Sequence, residues 1–464
     1  MDVRTQALLE APIGPTLLRL ALPNVLIMVL QASIGLIETY FVARLGTDAL
    51  AGMALVFPIL MLIQMVSAGA MGGGILSAIA RALGSERREE AGVLTWHAVA
   101  IAVGLGLVTT LAAWAGGARL YALMGGRDQS LAAAVSYSTV IFAGAIPLWL
   151  YNSLAAAIRG TGNMVIPATV TTLGTAVLIP LSAALIFGIG PLPRLGIVGG
   201  ASAVVLFYVI GSAVFAVFIW SGRGVLQPPM RPPRLKWAPL REIFRVGAVS
   251  SLISVTTNIS IATATGFVGV YGPAAVAGYG TGARLEYLLV PLVFGLGAPI
   301  AAMVGTCIGA GRRERALRVA WTGAVIAGVV TETIGLVAAL NPQIWMSLFG
   351  NDPAMNEVGW HYLRIVGPFY GFFGLGLALY FASQGAGRLR WALVAATLRL
   401  AIAVGGGLIA LHLSLGITGV FLALGLALAA FGLVNAAAVA GGAWFGRIAW
   451  PLRRVVVGAG GPAH

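Results

Sequence analysis

Charge is scarce in this chain. Asp, Glu, Lys and Arg make up 9% of its 464 residues, against about 25% in soluble domains. With 59% hydrophobic residues and a mean hydropathy of +0.96, the chain reads as a polytopic membrane protein. A single cysteine, Cys307, excludes an internal disulfide framework and a cysteine-based metal site. The only lysine is Lys236, so "GTGARLE" at 280–286 is not followed by the Lys of a phosphate loop. The four histidines, His97, His361, His412 and His464, are scattered, and no His-Glu-x-x-His occurs. Asp2, Asp48, Asp128 and Asp352 all fall in tails or loops. A membrane prenyltransferase or a metal-dependent enzyme needs acidic pairs near a membrane face. None is present, so the chain is read as a non-enzyme without metal or cofactor.

What is there is apolar length. Twelve stretches are long enough to cross about 30 Å of hydrocarbon: 16–44, 49–81, 91–118, 131–158, 164–188, 195–221, 240–270, 274–309, 316–340, 355–384, 391–413 and 416–446. The loops between them alternate in charge. "RALGSERREE", Arg159, the segment Gly222 to Arg245, "GAGRRERALR", "GRLR" and the tail "RIAWPLRR" hold most of the arginine; the other set holds Arg44, Arg119, Arg127, Arg194 and little else. The positive-inside rule makes the first set cytoplasmic, with both termini inside the cell; the expected location is the inner membrane. The net charge of +14 is thus loop topology, not a nucleic-acid footprint. The N-terminus, polar and amphipathic, does not read as a cleavable signal.

The two halves repeat. "RLGTDALAGMALVFP" at 44–58 resembles "VYGPAAVAGYGTGAR" at 270–284, and "ARALGSERREEA" at 80–91 resembles "GTCIGAGRRERA" at 305–316. "AIRGTGN" at 157–163 matches "ASQGAGR" at 382–388. Six spans separate the copies, so both have one orientation and are related by an axis along the membrane normal. The expected fold is all-α, with twelve transmembrane helices in two six-helix lobes related by a parallel pseudo-two-fold repeat. The boundaries are 1–221 for the first lobe, 222–240 for a cytoplasmic linker, 241–446 for the second lobe and 447–464 for a cytoplasmic tail. The polybasic linker also has the composition to touch anionic lipid.

The order and spacing of several segments resemble the multidrug and toxic compound extrusion (MATE) family. They are "ALPNVLIMVLQASIGLIETYFVARLGTDALAG", "RGTGN", "LIFGIGPLPRLGIVGGASA", "GARLEYLLVPLVFGLGAPIAAMVGTCIGAGRRERA" and "QGAGRLR". The resemblance covers residues 15 to 446. It implies an exporter that exchanges lipophilic cations for H⁺ or Na⁺, with a central cavity between two lobes. Two departures stand out. One branch carries Asp in the first span where this chain has Glu38, and an Asn and an Asp in span five where this chain has Leu178 and Ser182. Another branch carries cation-binding acids in spans seven and ten, near Thr256 and Phe373 here.

Five charges lie inside spans: Glu38, Arg284, Glu286, Glu332 and Arg399. Four are in the second half, two acids and two bases, and interhelical ion pairs account for them as readily as transport does. Arg284 and Glu286 are two apart and face differently, so they do not pair with each other. Glu38 stands alone in the first half. Asn24, Gln31 and Glu38 recur every seven residues as a polar stripe, which faces the bundle interior or a cavity, not lipid. Glu38 is therefore the expected coupling residue. A proton needs one carboxylate, whereas a hard cation needs several oxygens. H⁺ is the expected coupling ion, with Na⁺ the alternative. Asn24, Gln31, Tyr137, Asn152, Thr172 and Thr175 are candidates for the cavity and for proton relay. The unusually polar span seven, "SSLISVTTNISIATATG", offers Ser254 and Asn258. Aromatics near an acid attract an organic cation, which adds Tyr287, Phe369, Tyr370 and Tyr380 with Glu286 or Glu332 as candidates for the substrate cavity; the intramembrane Arg284 is a further candidate there. The expected partners are small organic cations and the lipid bilayer, with no nucleic acid, and a monomer is expected. A flippase for lipid-linked precursors is the alternative, and would want free arginines for a pyrophosphate.

Overall fold

The computed structural model describes residues 2–350 and 352–445, apart from the side chains of Ala32 and Tyr287. Secondary structure among these residues is helical. A short α1 (Val3–Glu10) precedes α2 (Ile13–Ala43). Next come α3 (Thr47–Gln64), a π-helical segment (Met65–Met71) and α4 (Gly72–Gly84), which together form one long span. Then follow α5 (Arg88–Leu123), α6 (Asp128–Ala143), α7 (Ala145–Gly160), α8 (Val165–Phe187) and α9 (Ile197–Trp220). The second half holds α10 (Trp237–Gly269), α11 (Pro273–Gly309), α12 (Arg313–Leu340), α13 (Pro342–Met346) and α14 (Pro353–Val366). It ends with a 3₁₀ turn (Gly367–Phe369), α15 (Tyr370–Ala386), α16 (Arg390–His412) and α17 (Gly416–Ala440). Among the described residues, eleven helical stretches are long and apolar enough to cross a bilayer, and the bent pair α6–α7, counted as one span, makes a twelfth. The tail at 447–464 lies outside the described residues.

The fourth span of each half is interrupted at proline. In the first half the break falls at Gly144, with a 48° bend and Pro147 in the first turn of α7. Proline is tolerated there because a first-turn N–H has no partner to lose. In the second half the break is the 3₁₀ turn containing Pro368. Membrane helices absorb such breaks when neighbours satisfy the freed groups. The Glu332 carboxylate does so for α15, accepting the Gly371 N–H at 2.6 Å.

Contacts divide the chain into two compact units, Met1–Val255 with Tyr287–Gly323, and Thr256–Glu286 with Ala324–His464. Helices α10 and α11 contribute to both. Inside the first unit the repeat is visible as a reciprocal contact. A Cβ on Gly84 would strike the Thr306 carbonyl, and a Cβ on Gly309 would strike the Arg81 carbonyl. The repeat aligns Gly84 with Gly309 and Arg81 with Thr306, so i meets j′ as j meets i′. The same end of the unit gathers basic segments. Arg81 pairs with Glu242 at 3.0 Å. Arg312 and Arg315 donate to the Leu9, Leu8 and Ala11 carbonyls, satisfying the open C-terminal end of α1.

Candidate functional site

Glu38 is 4% exposed, near the end of α2. Helix α8 sets Ser182 beside its carboxyl. Helix α6 brings the buried Tyr137 hydroxyl within electrostatic range. Helix α9 approaches through Gly200, where a Cβ would lie 2.7 Å from Glu38 Oε2, so a side chain there would push the carboxyl out of this position. Neither Glu38 Oε2 nor Ser182 Oγ has a formed hydrogen bond, and both atoms are buried; Thr175 Oγ1, about two turns before Ser182 on α8, is likewise buried and unpaired. Buried polar atoms are normally paired, so this corner of the unit has acceptor and donor capacity to spare. Leu178, one turn before Ser182, is buried and apolar.

A polar file leads away from this corner within the first unit. Tyr137 is within electrostatic range of Tyr208 as well as Glu38. Tyr208 donates to Gln64 Oε1 at 3.5 Å. Asn152 Nδ2 donates to Gln64 Oε1 at 3.3 Å and to Ser67 Oγ at 2.8 Å. Gln64 and Ser67 bracket the start of the π segment, and π bulges recur at functional sites. Three sequence candidates, Glu38, Tyr137 and Asn152, thus fall along one file. Gln64, Ser67 and Tyr208 were not singled out from sequence. Gln64 had a signal, a lone amide in "LMLIQMV"; Tyr208 had none.

The remaining first-half candidates have defined places. Asn24 Nδ2 donates to the Phe294 and Gly295 carbonyls at 3.2 and 3.0 Å, tying α2 to α11, while its Oδ1 is buried and unpaired. Fourteen residues separate Asn24 from Glu38, about 21 Å along the helix. Gln31 is half-buried between them. Thr172 donates to the Ala168 carbonyl of its own helix. Ser254 likewise donates to Ser250, and Asn258 is exposed.

The second unit holds a different cluster. Glu286 on α11 pairs with Arg399 on α16 at 3.3 Å, and the Tyr362 hydroxyl also serves the carboxylate. The Arg399 guanidinium lies 5.5 Å from the Phe373 ring centroid and 5.8 Å from that of Phe431. Tyr370 is buried near Tyr362. Glu332 is occupied at the start of α15, as described. Arg284 is exposed and stacks over Phe349 at 5.4 Å. Tyr380 accepts from Gln384 Nε2 at 3.3 Å. The Tyr287 side chain lies outside the described residues. Among the described residues, no three His, Cys, Asp or Glu side chains are placed to share a metal ion.

Removing one partner of a buried ion pair leaves an uncompensated charge, at a cost of about 3–5 kcal/mol, whereas replacing both by apolar groups is often neutral. Glu286→Leu and Arg399→Leu should each lower thermal stability in detergent strongly. The double variant should recover most of the loss. Additive losses would show that the two side chains act separately.

Comparison with known proteins covers most of the chain. The MatE family model matches residues 23–184 and 250–409. A FAD transporter of Shewanella oneidensis is 28% identical over 386 residues, covering 81% of this chain and 82% of that protein. A probable multidrug resistance protein NorM of Thermotoga maritima is 27% identical, covering 82% and 81%. Among solved structures, a MOP superfamily transporter from Pyrococcus furiosus superposes with a TM-score of 0.85 at 24% identity, covering 94% of this chain and 96% of that one.

Proposed function

The chain belongs to the MatE family and is a membrane transporter, not an enzyme; from that premise we propose that it exports organic cations in exchange for protons by alternating access. Its termini face the cytoplasm and its spans sit in the inner membrane. The similarity to a probable multidrug resistance protein, NorM of Thermotoga maritima, supports a drug-export reading.

The observation that carries the proton assignment is the setting of Glu38. It is a single buried carboxyl whose polar neighbours are the hydroxyls of Ser182 and Tyr137. The Leu178 side chain supplies no oxygen there. Hard cations such as Ca²⁺ and Mg²⁺ take about six oxygen ligands, and by analogy Na⁺ is poorly served. A proton needs only the carboxyl. Glu38 takes a proton from the outside, the change of charge alters the first lobe, and the bound cation leaves. The lobes then rock inward, the proton passes to the cytoplasm, and a new cation binds. The file through Tyr137, Tyr208, Gln64 and Asn152 offers exchangeable protons along the way. Coupling requires that the protonated form favour the conformation that holds the drug less well, since a ligand shifts an equilibrium only by its differential affinity.

The test is cationic dye transport in proteoliposomes under an imposed pH gradient or an imposed Na⁺ gradient. Transport should follow the pH gradient and ignore Na⁺. A response to Na⁺ alone would overturn the proton assignment. The Shewanella relative's name favours a second reading of the substrate, as an anionic dinucleotide. FAD transport under the same gradients, with no dye transport, would select it.

A further inference from the structure

The linker between α9 and α10 is pinned by its backbone and left open by its side chains. Trp96 Nε1 on α5 donates to the Pro229 carbonyl at 2.9 Å. The Lys236 N–H donates to His97 Nε2 at 3.0 Å, and the other ring nitrogen of His97 donates to the Val93 carbonyl at 2.8 Å. Gly92 lets the linker lie against α5, since a Cβ there would sit 3.0 Å from Pro228 Cα and 3.1 Å from the Gln227 carbonyl oxygen. Leu226 is buried beneath it. With proline at 228, 229, 232 and 233, the backbone keeps few alternatives.

The side chains this holds outward are of two kinds. Met230 is 79% exposed, Leu235 60% and Trp237 70%. Between them stand Arg231, Arg234 and Lys236, all exposed. No carboxylate occurs from Ser221 to Lys236, and none of these three cations is paired with one among the described residues. Large apolar groups held in water are unfavourable, and a bilayer surface offers them an interfacial layer while its phosphates attract the cations that stand between them. Tryptophan and methionine enter the headgroup boundary while the cations meet lipid phosphates. The place is right for it: Ile197–Trp220 ends as a span just before the linker, and Trp237–Gly269 begins as a span at its far end.

We propose that residues 230–237 are an anionic-lipid anchor, docked on α5 from behind and seated on the leaflet that the linker faces. The membrane supplies phosphate to the three cations and an interfacial layer to Met230, Leu235 and Trp237. The anchor fixes the depth of the crossing from the first repeat to the second, and it is independent of which ion or substrate the protein carries.

The test uses the full chain with a nitroxide at Met230→Cys or Leu235→Cys, the native Cys307 being buried. Each protein is reconstituted in phosphatidylcholine vesicles with or without phosphatidylglycerol, and the depth of the label is read from oxygen against water-soluble relaxant. Both labels should lie at headgroup depth with phosphatidylglycerol and move toward water without it. Replacing Arg231, Arg234 and Lys236 by Gln should restore the water signature, each lost charge weakening the partition about fivefold. Salt near 1 M should do the same to the unsubstituted linker, since it shortens screening to about 3 Å. Labels in water with phosphatidylglycerol present, or equal depth in both lipids, would overturn the proposal.

Discussion

Glu38→Gln should transport no cationic dye in response to a pH gradient, while still binding it. Glutamine copies the size and hydrogen-bonding shape of the protonated carboxyl, so the variant is held in one of the two states the cycle needs. Wild-type dye affinity should change between acid and neutral pH, by something on the order of 5–150-fold if the coupling is typical. The variant's affinity should be flat with pH and equal to the acid value of the wild type. The sign follows from exchange: protonation must weaken drug retention, so wild-type affinity falls as pH falls. Glu38→Asp separates chemistry from fit. It keeps the proton site but withdraws it by one methylene from Gly200 and Ser182, so coupling should survive with reduced rate. Full pH-driven transport by Glu38→Gln would make Glu38 a satisfied structural residue and move the search to Glu286, whose ion pair with Arg399 would then be the element to break.

How far this could be read without coordinates depends on the kind of information involved. The twelve spans follow from hydropathy, because lipid forces each crossing segment to be apolar and to satisfy its backbone groups within the protein, which a helix does. The interruption at Gly144 was also written in the chain, as "GAIP", yet a hydropathy window runs straight across it. Glu38 stood out because a carboxyl in an apolar run is costly and rare. Its surroundings did not stand out. Ser182, Tyr137 and Gly200 come from three other helices, and a face read from one helix says nothing about what it meets. Asn24 illustrates this: its seven-residue spacing from Gln31 placed it on the polar stripe, but its bonds to the α11 backbone depend on how two distant helices cross. The ion pair of Glu286 with Arg399 was one of several pairings that two acids and two bases allow. Only packing selects among them. Tyr208 gives no signal at all, since an intramembrane tyrosine is common and its hydroxyl matters only for where it points.

A second structural effect, carried by the backbone, is expected where the repeats touch. Gly84→Val and Gly309→Val should each destabilise the protein by about 1–3 kcal/mol, the usual cost of overpacking a fitted contact. Here the obstacle is a backbone carbonyl, Thr306 for the first and Arg81 for the second, and a carbonyl cannot move aside without its helix. The two contacts lie on one crossing, so whatever separates α4 from α11 at Gly84 also makes room at Gly309. The double variant should therefore cost little more than either single one. Distant sites add; neighbours that share a displacement do not. The native cysteine reports the same event. Cys307 sits next to Thr306 and is fully buried, so it should resist a maleimide in the wild type and react in either variant. Full additivity of the stability losses, with Cys307 still protected, would mean that the glycines act separately and that the crossing is not shared. Non-additivity with exposure of Cys307 would tie the repeat seen in sequence to a single mechanical joint, in which the two halves of the chain meet through the same residues in the same relation.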